Sequence, residues 1–508
     1  MTIPKITVIR GHLAAPKSGA LALFVPRDED LIRKMVRLVG PLFDGPVPFL
    51  GTKAFSAKEM ELCLLSPPIF RGKPLIIVGL GDKSSVSPER LRRATAVATK
   101  EASRLNFESL TLFAPELDTF KSNAMAFEYP IWESVGSALA DGALLSLYSY
   151  DKYRSTAEPP ALRTVTILAH PDVVLADLRK GVSSSKTTCE GTWFARDLAN
   201  APGNEIFPDS LADAARSCGK THGFKVKVYD ENEIQRLGMG GLHGVGQGSA
   251  RPPRFIILEH GQASKRGGPV VLVGKGVTFD AGGISIKPST NMAEMKMDMS
   301  GAAAVLGVFQ ATAAMGLSVH MVGLIPAAEN LPGGRALKPG DILRHVNGMT
   351  SEIDNTDAEG RLILADALAY SARFKPSAVI DLATLTGAVV VALGHVATGM
   401  FGTDAGLLNQ LKISGERTYE RVWELPMFEE YEKLIKSDIA DVKNVGGRWA
   451  GAITAALFLK RFIGTSPWVH LDIAGTAIME EAQEYIPKGA SGVGVRLLTD
   501  FLRHRRSA

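Results

Sequence analysis

A chain of 508 residues with 45% apolar and 22% charged residues has the composition of an ordinary folded protein. That excludes a disordered chain, a collagen-like repeat and a coiled coil. The net charge of +4 is small for this length and makes no electrostatic case for nucleic acid as the main partner.

Cys63, Cys189 and Cys218 are odd in number, far apart and without C-x-x-C spacing, so neither a disulfide framework nor a cysteine zinc site is expected. Each reads as a small core residue. The opening MTIPKITVIR has no basic segment followed by an apolar one, and a cytoplasmic location is expected.

In the first third, short apolar runs at Ala20–Val25, Leu75–Leu80, Leu110–Phe113 and Val165–Leu168 read as buried strands. Between them the periodicity predicts helices at Glu29–Phe43, Pro88–Leu105 and Trp132–Leu147. The second of these has Ser87 as N-cap and Pro88 at its first position. Strands separated by helices imply a parallel sheet with covered faces. Glu158-Pro159-Pro160 marks a break, and a mostly polar helix follows from about Val173 to Leu198. Such a helix suits a bridge between domains. The expected organisation is an N-terminal α/β domain over 1–170, a linker helix over 171–200 and a larger α/β domain over 201–508.

In that larger domain Val270–Val273, Val319–Ile325, Val379–Leu382 and Trp468–Ile473 read as strands, and Ala302–Met315 and Ala358–Phe374 as helices. Pro376 should end the second helix at Lys375. From Leu382 to Met400 no acidic or basic residue occurs except His395. The stretch is rich in Thr, Gly and Ala, and a buried strand-turn-helix fits it better than a membrane span.

Three stretches place acids and lysines among glycines: GKGVTFDAGGISIKP at 274–288, EMKMDMSG at 294–301 and NTDAEGRL at 355–362. Taken singly, Asp280 and Asp298 read as turn formers or helix caps, and Thr356-x-x-Glu359 as a capping box. Arg361, Lys275 and Lys287 read as solvated charges. If the three stretches converge, Asp280, Asp298, Asp357 and Glu359 put four carboxylates in one cleft. Two divalent cations would then balance the charge and could serve hydrolysis from ~3.5–4 Å apart. An oxygen-rich shell suits Mn, Mg or Zn. Neither a G-x-S-x-G elbow nor an H-E-x-x-H pair is present.

These stretches resemble the metal-site blocks of the leucyl aminopeptidase (cytosol aminopeptidase) family. Further similar runs are RDLANAPGN at 196–204, LPGGRALKPGD at 331–341, DLATLTGA at 381–388, GRWAGAITAA at 447–456 and WVHLDIAGTA at 468–477. The family's closing A-T-G-x-G-V-R run appears here as ASGVGVR at 490–496.

The resemblance covers about residues 190–500. It implies a two-domain α/β fold with a mixed, mostly parallel catalytic sheet. It also implies a cytoplasmic homohexamer that removes N-terminal residues, leucine above all, from peptides. The cofactors implied are two divalent metals per subunit (Mn or Zn, with Mg admitted) and a bicarbonate held by Arg361. By the same resemblance Asp280, Asp357 and Glu359 match the ligands of one metal, and Lys275, Asp280, Asp298 and Glu359 those of the other. A metal-bridging water is implied to attack the first peptide bond, with Lys287 steadying the oxyanion. Asn355, Leu385 and Gly387 fall in blocks that line the substrate backbone. Met295 and Met479 match walls of the side-chain pocket, though methionine is more often plain core.

Two other functions have some support in the residues. A DNA-binding regulator, a role some bacterial members of the family also have, rests on Arg90, Arg92 and Arg93 and on the tail Arg503-His504-Arg505-Arg506. A nucleotide-binding module rests on Gly79-Leu80-Gly81-Asp82 alone. A solvated face and an ordinary turn are the plainer readings.

Overall fold

The computed structural model describes residues 3–13, 19–43, 55–126, 130–156, 160–262 and 267–505. Glu158 and Pro159 of the expected break, and Arg506 of the basic tail, lie outside them. The chain forms two units, Met1–Glu190 with Glu481–Lys488, and Gly191–Glu480 with Gly489–Ala508. The division therefore falls at residue 190, inside the expected linker helix, rather than near 170. That a short segment at 481–488 belongs to the first unit depends on distant partners that periodicity does not record.

The first unit is built on a six-stranded sheet. Its strands are β1 (Lys5–Arg10), β2 (Ala20–Arg27), β3 (Leu62–Leu65), β4 (Leu75–Asp82), β5 (Ser109–Phe113) and β6 (Thr164–Ala169), in the order β1-β6-β5-β2-β4-β3. All neighbours are parallel except β3 and β4. Helices α1 (Glu29–Val39), α2 (Pro88–Arg104) and α3 (Ile131–Leu145) separate them. α2 starts as its sequence predicts, with Ser87 Oγ accepting from Arg90 N (3.2 Å) and Pro88 in the first turn. α1 stops at Val39, short of the expected Phe43, and Gly40–Leu42 tightens into a 3₁₀ turn at Pro41.

The arginines of α2 are spent on carboxylates. Arg92 is buried, its Nε donating to Asp141 Oδ2 (3.1 Å) and its Nη1 to Glu89. Arg93 donates to Glu59 (2.7 Å) and Glu484 (2.6 Å), and Arg90 pairs with Glu59 (3.1 Å). A face whose cations are already neutralised offers little to phosphates. In the tail, Arg505 donates to Ser377 Oγ (3.1 Å). The glycines of Gly79–Asp82 are also accounted for by packing. A Cβ at Gly79 would lie 2.1 Å from Lys58 O, and Asp82 is paired with Arg27 at 2.6 Å.

In the second unit the main sheet has nine strands. Its path runs Val422–Glu424, Thr398–Gly402, Trp468–Asp472, Ala378–Ala383, β9 (Val270–Gly274), β11 (Met321–Asn330), β8 (Arg254–His260) and β7 (Lys225–Tyr229). β10 (Gly276–Asp280) pairs in parallel with the far end of β11. The central strands are parallel, while β7, β8 and Thr398–Gly402 include antiparallel pairings, so the sheet is mixed.

Alternation sorts its two faces. Val270 and Leu272 pack with the helix Ser300–Ala314, and Val271 and Val273 with the helix Gly360–Ser371. The first helix sits close because Gly301 carries no side chain; a Cβ there would meet Leu382 O at 2.1 Å. Beyond Ser371 the chain tightens to Phe374, and Lys375 turns left-handed (φ 47°) before Pro376, ending the helix where expected. The charge-free stretch resolves into the strand Ala378–Ala383, the helix Gly387–Leu393 and the strand Thr398–Gly402. No helix among the described residues is long and apolar enough to cross a membrane.

Candidate metal centre

The three acidic stretches meet at the carboxyl ends of β9 and β10, where open α/β sheets bind ligands. Lys275 follows β9 and is 3% exposed. Its Nζ donates to Asp298 Oδ1 (2.8 Å) and Thr384 O (2.9 Å) and lies 3.0 Å from Glu359 Oε1. Lys287 Nζ lies 2.8 Å from Asp280 Oδ2 and pairs with Asp357. Carboxylate oxygens of Asp280, Asp357 and Glu359 fall within 4.8 Å of one another. All four acids and both lysines therefore belong to one cluster.

Local backbone explains the convergence. After β10 the chain reverses through Gly282 (φ 88°) and Gly283 (φ 67°). Asp280 Oδ1 accepts from Gly282 N (2.9 Å) and Asn330 Nδ2 (2.8 Å). Thr356 Oγ1 accepts from Ser285 N (2.8 Å) and donates to Gly282 O (2.7 Å), joining the first and third stretches. Thr356 is therefore not the N-cap of a capping box; Glu359 occupies that position with no side-chain cap bond. Asp298 closes the 3₁₀ turn Met292–Met297, its backbone N–H donating to Met295 O, but it is not the N-cap of the helix Ser300–Ala314, which is Met299, and its Oδ1 is taken by Lys275 and by Thr384 Oγ1 (2.7 Å). Asp280 combines the turn-forming role with membership of the cluster.

Burial dominates the electrostatics. If all four carboxyls were ionised, the two ammoniums would leave two negative charges uncompensated in a largely buried site. Burial, with Asp280 nearby, pushes the Glu359 carboxyl up to about 8. Burial raises Asp298 to about 6 and also raises Asp357. For Lys275 burial works against the charge, but Asp298, Glu359 and Asp280 outweigh it and hold the ammonium above its usual range. Lys287 is raised in the same way by Asp280 and Asp357.

Asp298 Oδ2 is buried without any hydrogen-bond partner among the described residues. A buried carboxylate oxygen left bare is costly unless a cation meets it. The donor set of carboxylates and one amine, with excess negative charge, fits hard divalent ions. Arg361 is 7% exposed; its Nη1 donates to Asn444 O (2.6 Å), and its buried Nε has no partner among the described residues. Burial lowers its guanidinium to about 10. These features fit a small anion.

The expected substrate residues are placed as follows. Asn355 is half-buried, its Oδ1 accepting from Asp357 N (2.8 Å). Leu385 N donates to Asp472 Oδ1 (3.1 Å), and Gly387 is exposed with nothing within 4 Å of where a Cβ would sit. Met295 is half-buried in the turn Met292–Met297, and Met479 is buried on the short strand Ile478–Met479. Sequence reasoning missed the side chains that hold the cluster: Asn330, Thr384, Asn444 and Asp472. Asp472 accepts from Leu385 N, Thr386 N and Thr386 Oγ1 (2.7 Å) and so shapes the loop at 384–387. Their only sequence signal is a polar residue at or just past a strand end.

The model of the cytosol aminopeptidase family catalytic domain matches residues 193–499, and that of the family's N-terminal domain matches 49–157. A probable cytosol aminopeptidase of Geobacter sulfurreducens is 48% identical over 505 residues, covering 98% of this chain and 99% of the relative. Among solved structures, a tomato leucine aminopeptidase mutant superposes with a TM-score of 0.87 at 32% identity, covering 99% and 98% of the two chains. The bottromycin maturation enzyme BotP in complex with Mn gives 0.83 at 34% identity, covering 96% and 99%. The chain belongs to the cytosol aminopeptidase family and is an aminopeptidase, a hydrolase.

Proposed function

We propose that this aminopeptidase is metal-dependent and releases N-terminal residues, with a leucine-type preference, from peptides. The observation that carries the reading is the cluster of Asp280, Asp298, Asp357 and Glu359, all buried but Asp357, with Asp298 Oδ2 left bare. Asp280, Asp357 and Glu359 would hold one divalent cation; Asp280, Asp298, Glu359 and Lys275 would hold a second, Lys275 giving up its proton because an adjacent dication disfavours the ammonium. When bound, such a pair supplies Lewis acidity and an activated water. Mn or Zn suits the donor set, with Mg admitted.

The chain's own groups do the rest. Lys287, part-exposed beside Asp280 and Asp357, donates to the oxygen that gains charge as the scissile carbonyl is attacked. Arg361 offers its free Nε to a bicarbonate, a small anion able to hold a proton. Asn355, Leu385 and Gly387 line the peptide backbone, and Met295 and Met479 wall the side-chain pocket. A free, neutral α-amine could be held by one of the two metals when they are bound, whereas an acylated one could not, so a blocked N-terminus should not be cleaved. A homohexamer in the cytoplasm belongs to the same reading; a solution mass six times that of the chain tests it.

Chelation is expected to abolish cleavage of leucyl p-nitroanilide, and added Mn or Zn to restore it. Activity indifferent to chelation would overturn the reading. Metal loading should also be pH-linked. A carboxyl raised to about 8 must lose its proton to become a ligand, so cation affinity should rise from pH 6 towards 8 and then flatten. In the metal-free protein the sign for folding is opposite: the folded state holds this proton more tightly, and stability should fall over the same interval. Calorimetric titration of Mn in buffers of different ionisation enthalpy measures the proton release; none at pH 6.5 would contradict it.

A further inference from the structure

The stretch Arg196–Asn204 takes no part in the chemistry above, yet it grips both segments that carry the proposed pocket walls. Asn200 ends α4 (Leu175–Asn200). Its side-chain Oδ1 accepts from Ala490 N (3.0 Å), and its backbone O accepts from Lys296 Nζ (2.8 Å). Ala490 lies on the strand Gly489–Ala490, paired antiparallel with Ile478–Met479 so that Met479 stands opposite Gly489. Lys296 lies on the turn Met292–Met297, which carries Met295. One residue thus ties the strand pair bearing Met479 to the turn bearing Met295.

The fit at this tie is tight. Gly489 adopts φ 91°, and a Cβ there would stand 2.6 Å from Asn200 Oδ1 and 3.7 Å from Met297 Cε. Arg196, one helical turn earlier on the same face, is 1% exposed and donates from Nε to Ser491 O (2.9 Å). Asn200 is itself 7% exposed, so losing its oxygen leaves a buried Ala490 N–H unsatisfied.

We propose that Asn200 is a specificity-positioning residue that sets the spacing between the Met295 and Met479 segments, and with it the width of the pocket for the N-terminal side chain. The inference rests on the pocket reading above. Asn200 touches no reacting atom; it acts through Ala490 and Lys296.

The test compares kcat/KM for leucyl and alanyl p-nitroanilide in Asn200→Ala, Asn200→Asp, Lys296→Met, Met479→Ala and the Asn200→Ala/Met479→Ala double variant, with metal content measured throughout. Asn200→Ala and Lys296→Met should each lower the leucyl-to-alanyl ratio about tenfold, mainly through KM for the leucyl substrate, with metal retained. Asn200→Asp keeps the acceptor oxygen and should preserve most of the ratio, which keeps the test open if the alanine variant fails to fold. In the double variant the ratio should drop no further than in Met479→Ala alone. If Met479→Ala changes the ratio but Asn200→Ala and Lys296→Met do not, or lower both substrates equally, the positioning role is overturned and the pocket stands. If Met479→Ala itself leaves the ratio unchanged, the pocket reading falls and takes this inference with it.

Discussion

Asp280→Ala is expected to strip divalent metal from the protein and to lower kcat/KM for leucyl p-nitroanilide by at least about a thousandfold, since charge stabilisation and water activation depart together. Asp280 carries this weight because it belongs to both proposed ligand sets. It is also the acid that Asn330 Nδ2 and Gly282 N orient, and the one that raises Glu359 and Asp298 most among the acids. Removing it lowers the cluster's negative charge, so Glu359 should ionise more readily even as cation affinity drops. Metal analysis of the purified variant beside its kinetics checks both. Full metal occupancy with unchanged turnover would remove Asp280 from the centre.

Lys287→Ala is expected to behave differently, retaining metal while lowering kcat by about 10²–10³ with a small change in KM. Lys287 pairs with Asp280 and Asp357, so in the metal-free protein it competes with any incoming cation. Its loss should therefore leave metal affinity unchanged or higher. What should disappear is the donor proposed above for the oxygen that gains charge. Lys287→Arg should not rescue turnover, because a planar guanidinium is broader than an ammonium and points its donors differently. Metal loss in Lys287→Ala, or a fall confined to KM, would show that the residue holds the site together rather than serving the reaction.

Much of the fold is legible in the chain. Strands β2, β4, β5 and β6 of the first unit, the Ser87 cap of α2, the Ala-rich helix beside the central sheet and the stop at Pro376 all follow from local pattern, because apolar period, capping side chains and proline act over a few residues. The part-exposed edge strands β1 and β3 are not among the predicted ones. The resemblance of NTDAEGRL and its companion blocks named the acids and lysines that the structure brings together. The capping-box reading of Thr356 and Glu359 failed for a physical reason. A buried carboxylate gains more from the Lys275 ammonium than from an N–H of its own turn, and Thr356 is captured by Gly282 and Ser285. The arginines of α2 misled in the same way, since spacing shows charge but not the Glu59, Asp141 and Glu484 that neutralise it.

The sequence by itself determined the class of the protein and its alternating strands and helices, and through its family resemblance it proposed which acids and lysines serve the chemistry. These are properties of composition and of short windows. Only the tertiary structure decided that carboxylates from stretches 280, 298 and 357–359 share one buried site, that Asn330, Thr384 and Asp472 shape it, and that the first unit takes back residues 481–488. Those outcomes depend on which strand ends lie side by side and on which charges lose water together, and both are set by pairings between residues dozens to hundreds of positions apart.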